Sequence, residues 1–306
     1  MNILTLKKYF YKYTNEKKYF DIKEEVSHLS KKNKLRPEFV NQLNLIQQNL
    51  KNNKEINFIH SGHIGDIIYA LPVIQKISES HSCNLYINIG KSTDQKAYKH
   101  ISGDVYINDR LYSKLLPLLK KIDYLEDIDQ YTNQRVDVNL DLFRDFPFEL
   151  NFITVRWYSH LTGVFPDFSK VCLEVEPHPI IKNKIVIIRS FRVRNSFVDY
   201  SFLKKYNNLL FVGLRDEYED IKKSVPNLEF YDAEDFYELA QIIKASKFYL
   251  GNQSFGFALA EIMKVPRLLE AYSDFPVVHP IGENAYDFYF QEHFEMLFEK
   301  LYNATV

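Results

Sequence analysis

The segment HSGHIGDIIYALP, residues 60–72, carries side chains suited to acid–base chemistry at the point where a predicted strand turns into a predicted helix. Ligands of parallel α/β sheets bind at this edge of the strands, so Asp66 at the helix start would face a cleft. Its carboxylate could accept a proton there, or it could simply cap the helix. Gly65 would let a ligand approach the backbone, and His63 would line the same cleft.

His60, His63 and Asp66 are three residues apart, a spacing that could suggest a metal site. His60 would lie in the strand, however, and the other two beyond a glycine turn, so the three would not share a helical face. The sequence therefore predicts no metal site and no cofactor. A dinucleotide-binding fingerprint is also weak, because the third glycine of G-x-G-x-x-G is missing.

A second turn, in FYLGNQSFGFALA (residues 248–260), has the composition of an anion site. A predicted strand runs into polar residues, and a helix starts near residue 255 or 256. Backbone N–H groups at a helix start bind phosphates, and Gly256 would let a phosphate come close. Alternatively, Ser254 caps an ordinary helix. The candidate donor-binding residues of this turn are Gly251, Asn252, Gln253, Ser254, Phe255 and Gly256.

A third cluster, RSFRVRNSF (residues 189–197), places Arg189, Arg192 and Arg194 after the first strand of the second half. Guanidinium groups suit phosphate oxygens, so the cluster and the second turn would form a cationic pocket for a nucleoside diphosphate. Glu270, at the end of a later strand, would accept hydrogen bonds from ribose hydroxyls. Alternatively, the arginine cluster is a solvated basic loop and Glu270 is a surface carboxylate.

The elements that would position these residues alternate between short β-rich runs and helical patterns, which is typical of parallel α/β sheets. The alternation begins at Ile56, is interrupted by a proline-containing segment, and restarts at Lys184. The predicted fold class is α/β with two Rossmann-like, doubly wound domains facing across a cleft. The predicted divisions are an N-terminal appendage (1–55), an acceptor-side domain (56–176), a linker (177–183), a donor-binding domain (184–287) and a C-terminal helix (288–306).

The bulk composition fits a globular chain with two cores, since 46% of its 306 residues are hydrophobic. A formal charge of −1 gives no sign of a polyanion-coating protein. Cys83 and Cys172 match no metal spacing, and no signal peptide or membrane span is evident. A cytoplasmic protein is expected.

Residues 1–55 differ from the rest in carrying 12 basic against 6 acidic residues. They would form solvated helices packed on the first domain, or a basic surface that contacts an anionic acceptor or the membrane periphery.

The three constellations resemble, in this order, the heptosyltransferase-like family of GT-B glycosyltransferases. GDIIYALP (residues 65–72) looks like the family's G-D-[VIL]-[VIL]-x-x-[LT]-P element, and LGNQSFGFALA (250–260) is similar to its G-x-[DN]-[ST]-G-x-x-H-x-A element. FVGLRDE (211–217) looks like the strand and turn between them. Gln253 and Ala258 stand where the family has an acidic residue and a histidine, so its sugar-nucleotide specificity is not carried over.

The resemblance implies a glycosyltransferase that moves a sugar from a nucleotide-sugar donor to an acceptor hydroxyl, most simply of a glycan or glycolipid. It implies that Asp66 is the catalytic base, that no metal is needed, and that the anomeric centre is inverted. Two alternatives remain open at this point. One is a nucleotide-sugar epimerase on the same architecture, and the other is a catalytically silent module that binds nucleotides or nucleic acid.

Overall fold

A computed structural model describes residues 3–93 and 101–304 of the chain. The first two residues of the predicted appendage and the last two of the predicted C-terminal helix lie outside the described residues. The N-terminal half contains α1 (Ile3–Thr14), α2 (Glu16–Asn33), α3 (Pro37–Asn52), β1 (Glu55–His60), α4 (Ile64–Ser78), β2 (Ser82–Ile87), α5 (Asp109–Leu119), β3 (Asp127–Gln130), β4 (Val138–Asn139) and α6 (Val155–Thr162).

The C-terminal half follows an extended segment and has more strands. It contains β5 (Ile185–Ile188), β6 (Leu209–Val212), α7 (Arg215–Lys222), β7 (Glu229–Tyr231), α8 (Phe236–Lys244), β8 (Phe248–Asn252), α9 (Phe255–Ile262), β9 (Arg267–Glu270), β10 (Ala285–Phe288) and α10 (Gln291–Asn303).

The first sheet is parallel, with strand order β3-β2-β1-β4. The chain first winds from β1 towards β2 and β3 and then crosses back to β4. The order therefore reverses between β1 and β4, and such a switch point opens a crevice at the carboxyl ends of the strands. The turn 61–63 leaves β1 at this crevice, and a 3₁₀ helix, Leu140–Asp145, leaves β4 beside it.

The second sheet is parallel with the order β10-β9-β8-β5-β6-β7, which is the doubly wound Rossmann order. All four residues of β5 are buried, as expected for a central strand covered by helices on both faces. Its switch point lies between β5 and β8. The arginine-bearing loop after β5 and the turn before α9 therefore meet at one crevice.

The two halves pack against each other through the helices that follow their switch-point strands. Helix α4 of the first half contacts α9 of the second, and α5 contacts α8. One hydrophobic core runs from the first half into the inner face of the second sheet. A separate core lies behind the second sheet, where α10 buries Phe294, Phe298 and Leu301.

The structure redraws some predicted boundaries. Helix α3 is part of the first domain, because Ile46 is buried in its core and Asn49 donates to the carbonyl of Asp137 at 2.9 Å. Only α1 and α2 remain as an appendage, and α2 buries no residue. Helix α10 likewise belongs to the second domain.

Local hydrogen bonds and caps explain which elements the sequence pattern predicts correctly. Gly163 ends α6 in the left-handed conformation, φ 72°, as its position after a helical pattern predicts. The alternating pattern of VDVNLDL, residues 136–142, is typical of a strand, but the segment forms only the two-residue β4 before the 3₁₀ helix, because Asn139 accepts from the backbone N–H of Asp141 and so starts a turn. The pattern of DYSFLKKY, residues 199–206, is typical of a helix, but the structure has a 3₁₀ turn there, Ser201–Lys205.

Candidate active site

Asp66 occupies the third position of α4 at the first switch point, with 23% of its side chain exposed. Its Oδ2 accepts a hydrogen bond from the backbone N–H of His63 at 3.2 Å, so it does cap the helix. Burial raises the pKa of Asp66, although the nearby charge of Arg144 opposes the rise. A partly exposed carboxylate with a raised pKa is a better proton acceptor than a solvated one. Capping and base chemistry are therefore compatible here.

Arg144 is the centre of this site. Its Nη1 donates to Asp141 Oδ1 at 2.5 Å, its Nη2 donates to the carbonyl of Gly62, and Nη2 lies 3.7 Å from Asp66 Oδ2. The guanidinium also lies 4.1 Å from the ring centroid of Tyr106. These contacts fix a positive charge beside Asp66, which favours the carboxylate form.

Asp141 holds Arg144 in place through the hydrogen bond that it accepts from Nη1. It is buried, and it accepts from the Ser61 backbone N–H at 3.0 Å and from Lys91 Nζ at 2.9 Å. Burial would raise the pKa of Asp141, but the two cations and the Ser61 hydrogen bonds hold it well below its usual range. Asp141 is thus a permanent anion that orients the groups around Asp66.

His60 joins the same network as a neutral side chain, because burial lowers its pKa to about 3. Its Nδ1 accepts from the Gly62 N–H at 2.9 Å, so Nε2 carries the proton and donates to Tyr158 Oη at 2.8 Å. Tyr158 in turn donates to the backbone carbonyl of Asp66 at 2.8 Å. The histidine orients the start of α4.

Sequence reasoning missed Asp141, Arg144 and Tyr158. Asp141 and Arg144 come directly after β4 in the chain and thus lie at the same sheet edge as Asp66. That position could have identified them, since the carboxyl ends of parallel strands share one edge. Nothing in the local sequence signals Tyr158, which reaches the site from α6.

Gly62 and Gly65 differ in backbone conformation and in the space around them. Gly62 has φ +97°, and a Cβ there would lie 3.0 Å from the Tyr106 carbonyl oxygen. A Cβ at Gly65 would meet no atom within 4 Å. Space beside the helix start is therefore open at Gly65, as a ligand-facing position requires.

At the second switch point, α9 begins without a side-chain cap. Ser254 is the N-cap residue, but its Oγ lies 3.2 Å from Tyr249 Oη and does not accept from the helix amides. The first N–H groups of α9, including that of Phe255, thus keep the anion-binding character of an uncapped helix start. The ring of Phe255 packs against Phe236, with 4.5 Å between centroids.

Gln253 lies in the same turn and donates from Nε2 to the Phe275 carbonyl at 2.9 Å. Its Oε1 is buried and has no hydrogen-bond partner within the described residues. A buried acceptor without a donor is costly in the absence of a ligand, so this oxygen is suited to a hydroxyl or amide of a bound molecule.

The glycines of this turn serve packing, which corrects the prediction that Gly256 admits a phosphate. A Cβ at Gly256 would lie 2.5 Å from Ile188 Cδ1 and 3.0 Å from Tyr249 Oη. A Cβ at Gly251 would lie 2.2 Å from the Ile188 carbonyl oxygen. Both glycines allow β5, β8 and α9 to approach one another.

Arg189 and Glu270 bind each other, which corrects their assignment to the donor. Arg189 donates through Nε and Nη2 to the two carboxylate oxygens of Glu270 at 2.7 and 2.9 Å. Tyr200 Oη and the Asn195 N–H also donate to Glu270, which is fully buried. No exposed oxygen of Glu270 remains for a ribose, and the pair instead anchors the arginine-bearing loop.

Asn252 anchors the same loop from β8. Its Oδ1 accepts from the Ser190 N–H at 3.0 Å, and its Nδ2 donates to the Ser190 carbonyl at 2.8 Å. Asn252 is completely buried, so it orients the loop instead of contacting a ligand directly. Arg194 is also engaged, through a 2.5 Å hydrogen bond from Nη1 to Asp220.

A shallow cavity of about 340 Å³, largely open to solvent, lies beside Arg144 on the surface of the first domain. It combines an aromatic wall with charged groups of both signs. Arg144 contributes to its lining, which links the cavity to the neighbourhood of Asp66. The lining residues are Lys34, Arg36, Arg144, Asp145, Phe146, Pro147, Phe148 and Glu149.

Within residues 3–93 and 101–304, no group of three or more His, Cys, Asp or Glu side chains is placed to hold a metal ion. No helix there has the length and apolar character needed to cross a membrane.

Neither a protein-family model nor a curated protein sequence matches this chain. Solved structures do. The fold is similar to that of a family 9 glycosyl transferase from Veillonella parvula, with a TM-score of 0.53 and 13% identity over 83% of this chain and 90% of that protein. It is also similar to the iron-containing, dodecameric heptosyltransferase TibC in complex with ADP-D-β-D-heptose, with a TM-score of 0.51 and 11% identity. That alignment spans 76% of this chain and 61% of TibC.

This chain has the GT-B fold. The predicted architecture of two Rossmann-like domains is thereby confirmed, and the resemblance to heptosyltransferase-like proteins extends to the structure as a whole.

The GT-B cleft brings the two switch points together. Burial lowers the pKa of His63, and the positive charge of Arg192 from the second domain adds to that effect across the cleft. Arg192 is exposed, in contrast to Arg189. Tyr69, one helical turn after Asp66, points a buried hydroxyl towards the second domain, where the charge of Glu261 adds to burial in raising its pKa well above normal. Because α4 also contacts α9 directly, Asp66 and the uncapped start of α9 lie on neighbouring helices of the two domains.

Proposed function

We propose that this GT-B protein is a glycosyltransferase that moves a sugar from a nucleotide-sugar to an acceptor hydroxyl. The observation that carries the proposal is the pairing of Asp66, a carboxylate with raised pKa, with an uncapped helix start and Arg192 in the same cleft. One side supplies a base and the other an anion site, which is what displacement of a nucleoside diphosphate requires.

On the donor side, the amides at the start of α9 and the guanidinium of Arg192 would stabilise the diphosphate as negative charge develops on it. The unpartnered Oε1 of Gln253 would accept a hydrogen bond from the same donor. The structure of TibC with ADP-heptose supports a nucleotide-sugar as the class of ligand. In this proposal Arg192 and the helix start supply the positive charge for the leaving group, so the reaction would need no metal ion.

On the acceptor side, Asp66 would take the proton of the attacking hydroxyl while Arg144 and Asp141 hold its carboxylate in place. A direct attack from this side displaces the diphosphate from the opposite face and inverts the anomeric carbon. The cavity beside Arg144 has an aromatic wall and charged groups, a combination that fits a saccharide of a glycan or glycolipid. A basic N-terminal segment would suit an acceptor held at an anionic surface.

An epimerase on the same architecture would use the donor site but no separate acceptor cavity. In this proposal the acceptor occupies the cavity next to Arg144, a site that an epimerase would not need. A silent nucleotide-binding module would need neither a raised pKa at Asp66 nor the network that orients it.

The deciding experiment is calorimetry of the whole chain with UDP-, GDP-, ADP-, CMP- and dTDP-sugars and the free nucleotides, followed by mass spectrometry of products with saccharide acceptors. One donor should bind, and Arg192→Ala should weaken it by at least tenfold. Arg215→Ala is the matched control, because Arg215 at the start of α7 lies over the ring of Phe230 in β7, 3.8 Å from its centroid. Absence of binding by every member of the panel would contradict the proposal, and an epimerised donor without transfer would replace it.

A further inference from the structure

Helix α1 has an apolar face that nothing covers in the part of the chain that the structure describes. Leu6, Tyr9, Phe10 and Tyr13 are spaced i, i+3, i+4 and i+7 and therefore form one stripe. They are 50%, 58%, 63% and 83% exposed. Three aromatic rings and a leucine side by side on a helix make a patch of the kind that marks an interaction site.

This stripe is distinct from the seam between α1 and α2. The two helices pack through half-buried residues on the other side of α1, namely Leu4 and Tyr11. The half-buried apolar residues of α2 are Tyr19, Ile22 and Val26, which fits a seam between the two contacting helices. The pairing of α1 with α2 is thus already satisfied, and it leaves the stripe turned outwards.

Positive charge surrounds the stripe. Helix α1 carries Lys7, Lys8 and Lys12 and no acidic residue, and the two helices together have eight lysines against four acidic residues. Lys12 lies over the ring of Tyr13, 5.6 Å from its centroid. The whole chain has a net charge of −1, so this positive charge is local to the hairpin.

We propose that the outward face of α1 docks on an anionic lipid bilayer. Aromatic rings favour the boundary between headgroups and acyl chains, and lysines beside them pair with anionic headgroups. A second copy of the chain is a poorer occupant, because a symmetric contact through this stripe would bring Lys7 and Lys12 of both copies together. The docking holds the hairpin in the plane of the membrane without crossing it.

This inference is independent of the proposed glycosyl transfer. The hairpin contributes none of the residues that surround Asp66 or the start of α9. Binding of nucleotide-sugars in solution should therefore be the same with and without an intact stripe, and membrane binding should occur without any donor.

The test is co-sedimentation of the full chain with vesicles of phosphatidylcholine containing about one third phosphatidylglycerol, and with vesicles of phosphatidylcholine alone. Phe10→Ser/Tyr13→Ser removes two rings, and Lys7→Glu/Lys12→Glu reverses two charges. All four positions are exposed, so circular dichroism and Tm should be unchanged. Met296→Ser/Lys120→Glu changes one apolar and one basic surface residue elsewhere and is the matched control.

We expect binding to the anionic vesicles that weakens with added salt, at least tenfold weaker binding by each α1 variant, and no change in the control. Equal binding to both kinds of vesicle, or binding that survives both α1 variants, would overturn the proposal. A different outcome is that the wild-type chain does not bind the vesicles and forms a dimer that Phe10→Ser/Tyr13→Ser converts to a monomer. That result would assign the stripe to contact with a second copy of the chain.

Discussion

Arg144 Nη2 lies 3.7 Å from Asp66 Oδ2 while Nη1 of the same guanidinium donates to Asp141. The two carboxylates thus share one cation, but their environments differ. Burial raises the pKa of Asp66, whereas cations and hydrogen bonds hold that of Asp141 well below its usual range. Carboxylates whose pKa values are driven apart can take different roles, here a base and a fixed anion.

Asp66→Asn should abolish most transfer without loss of donor binding. The amide can still accept from the His63 N–H, so α4 should remain capped, but it cannot take a proton. A fall in kcat of about 10²–10⁴-fold is expected, measured by product formation beside calorimetry with the donor. Asp109→Asn, which changes an exposed first-turn carboxylate of α5, should keep full activity. Unchanged turnover in Asp66→Asn would reject the assigned base.

Arg144→Gln should shift the pH dependence of transfer. Loss of the neighbouring positive charge leaves burial less opposed, so the pKa of Asp66 should rise further. A base is active above its pKa, and the acid limb of kcat/KM should therefore move to higher pH. Arg144→Lys keeps the charge and should restore the wild-type limb. If Arg144→Gln lowers the maximal kcat/KM but leaves the acid limb of the pH profile at the same pH, Arg144 has only a structural role.

His60→Gln should reduce the acid sensitivity of the fold. The pKa of His60 is about 3 in the folded protein and about 6.5 in an unfolded chain. The contribution of His60 to the free energy of unfolding is therefore fully present above pH 6.5. It decreases as the pH falls towards 3, by up to about 1.4 kcal/mol per pH unit. The difference in Tm between pH 7.5 and pH 5 should be smaller in His60→Gln. An exposed control, His293→Gln, should retain the wild-type difference.

Glu270→Gln should destabilise the second domain. The substitution leaves the guanidinium of Arg189 largely buried without its bidentate partner, and removing one member of such a pair costs about 3–5 kcal/mol. Scanning calorimetry should show a lower Tm. Glu229→Gln, which breaks the exposed pair with Lys184, should change Tm little. A small effect at both sites would contradict the anchoring role of the pair.

Gly256→Ala and Gly65→Ala should have opposite effects on stability. Alanine at 256 must displace Ile188 and Tyr249, at a cost of about 1–3 kcal/mol. Alanine at 65 meets open space in a helical turn and should stabilise α4 by about 0.5–1 kcal/mol. If a ligand approaches at Gly65, the same variant should nevertheless weaken binding or transfer. Comparison of Tm and calorimetric titrations of the two variants checks both points.

The architecture was readable from sequence because strands and helices alternate with strong hydrophobic patterns and end at glycine or polar caps. For this reason the strand that runs into the second turn and the helix that starts near residue 255 were placed close to the observed β8 and α9. The position of Asp66 at the start of a helix followed from the same local pattern. These properties depend on residues near one another in the chain.

Residues distant in sequence decided the rest. Glu270 and Arg189 are 81 positions apart, and only the second sheet shows that they pair with each other. Arg144 reaches Gly62 and Asp66 across the switch point of the first sheet, and Arg192 acts on His63 from the other domain. The sequence by itself determined the two-domain α/β fold and the turns that carry the candidate residues. Tertiary structure decided which of those residues face the cleft and which hold its loops in place. A charged side chain can bind a ligand only if other protein groups do not already occupy its hydrogen-bonding atoms, and folding decides which groups come within that distance.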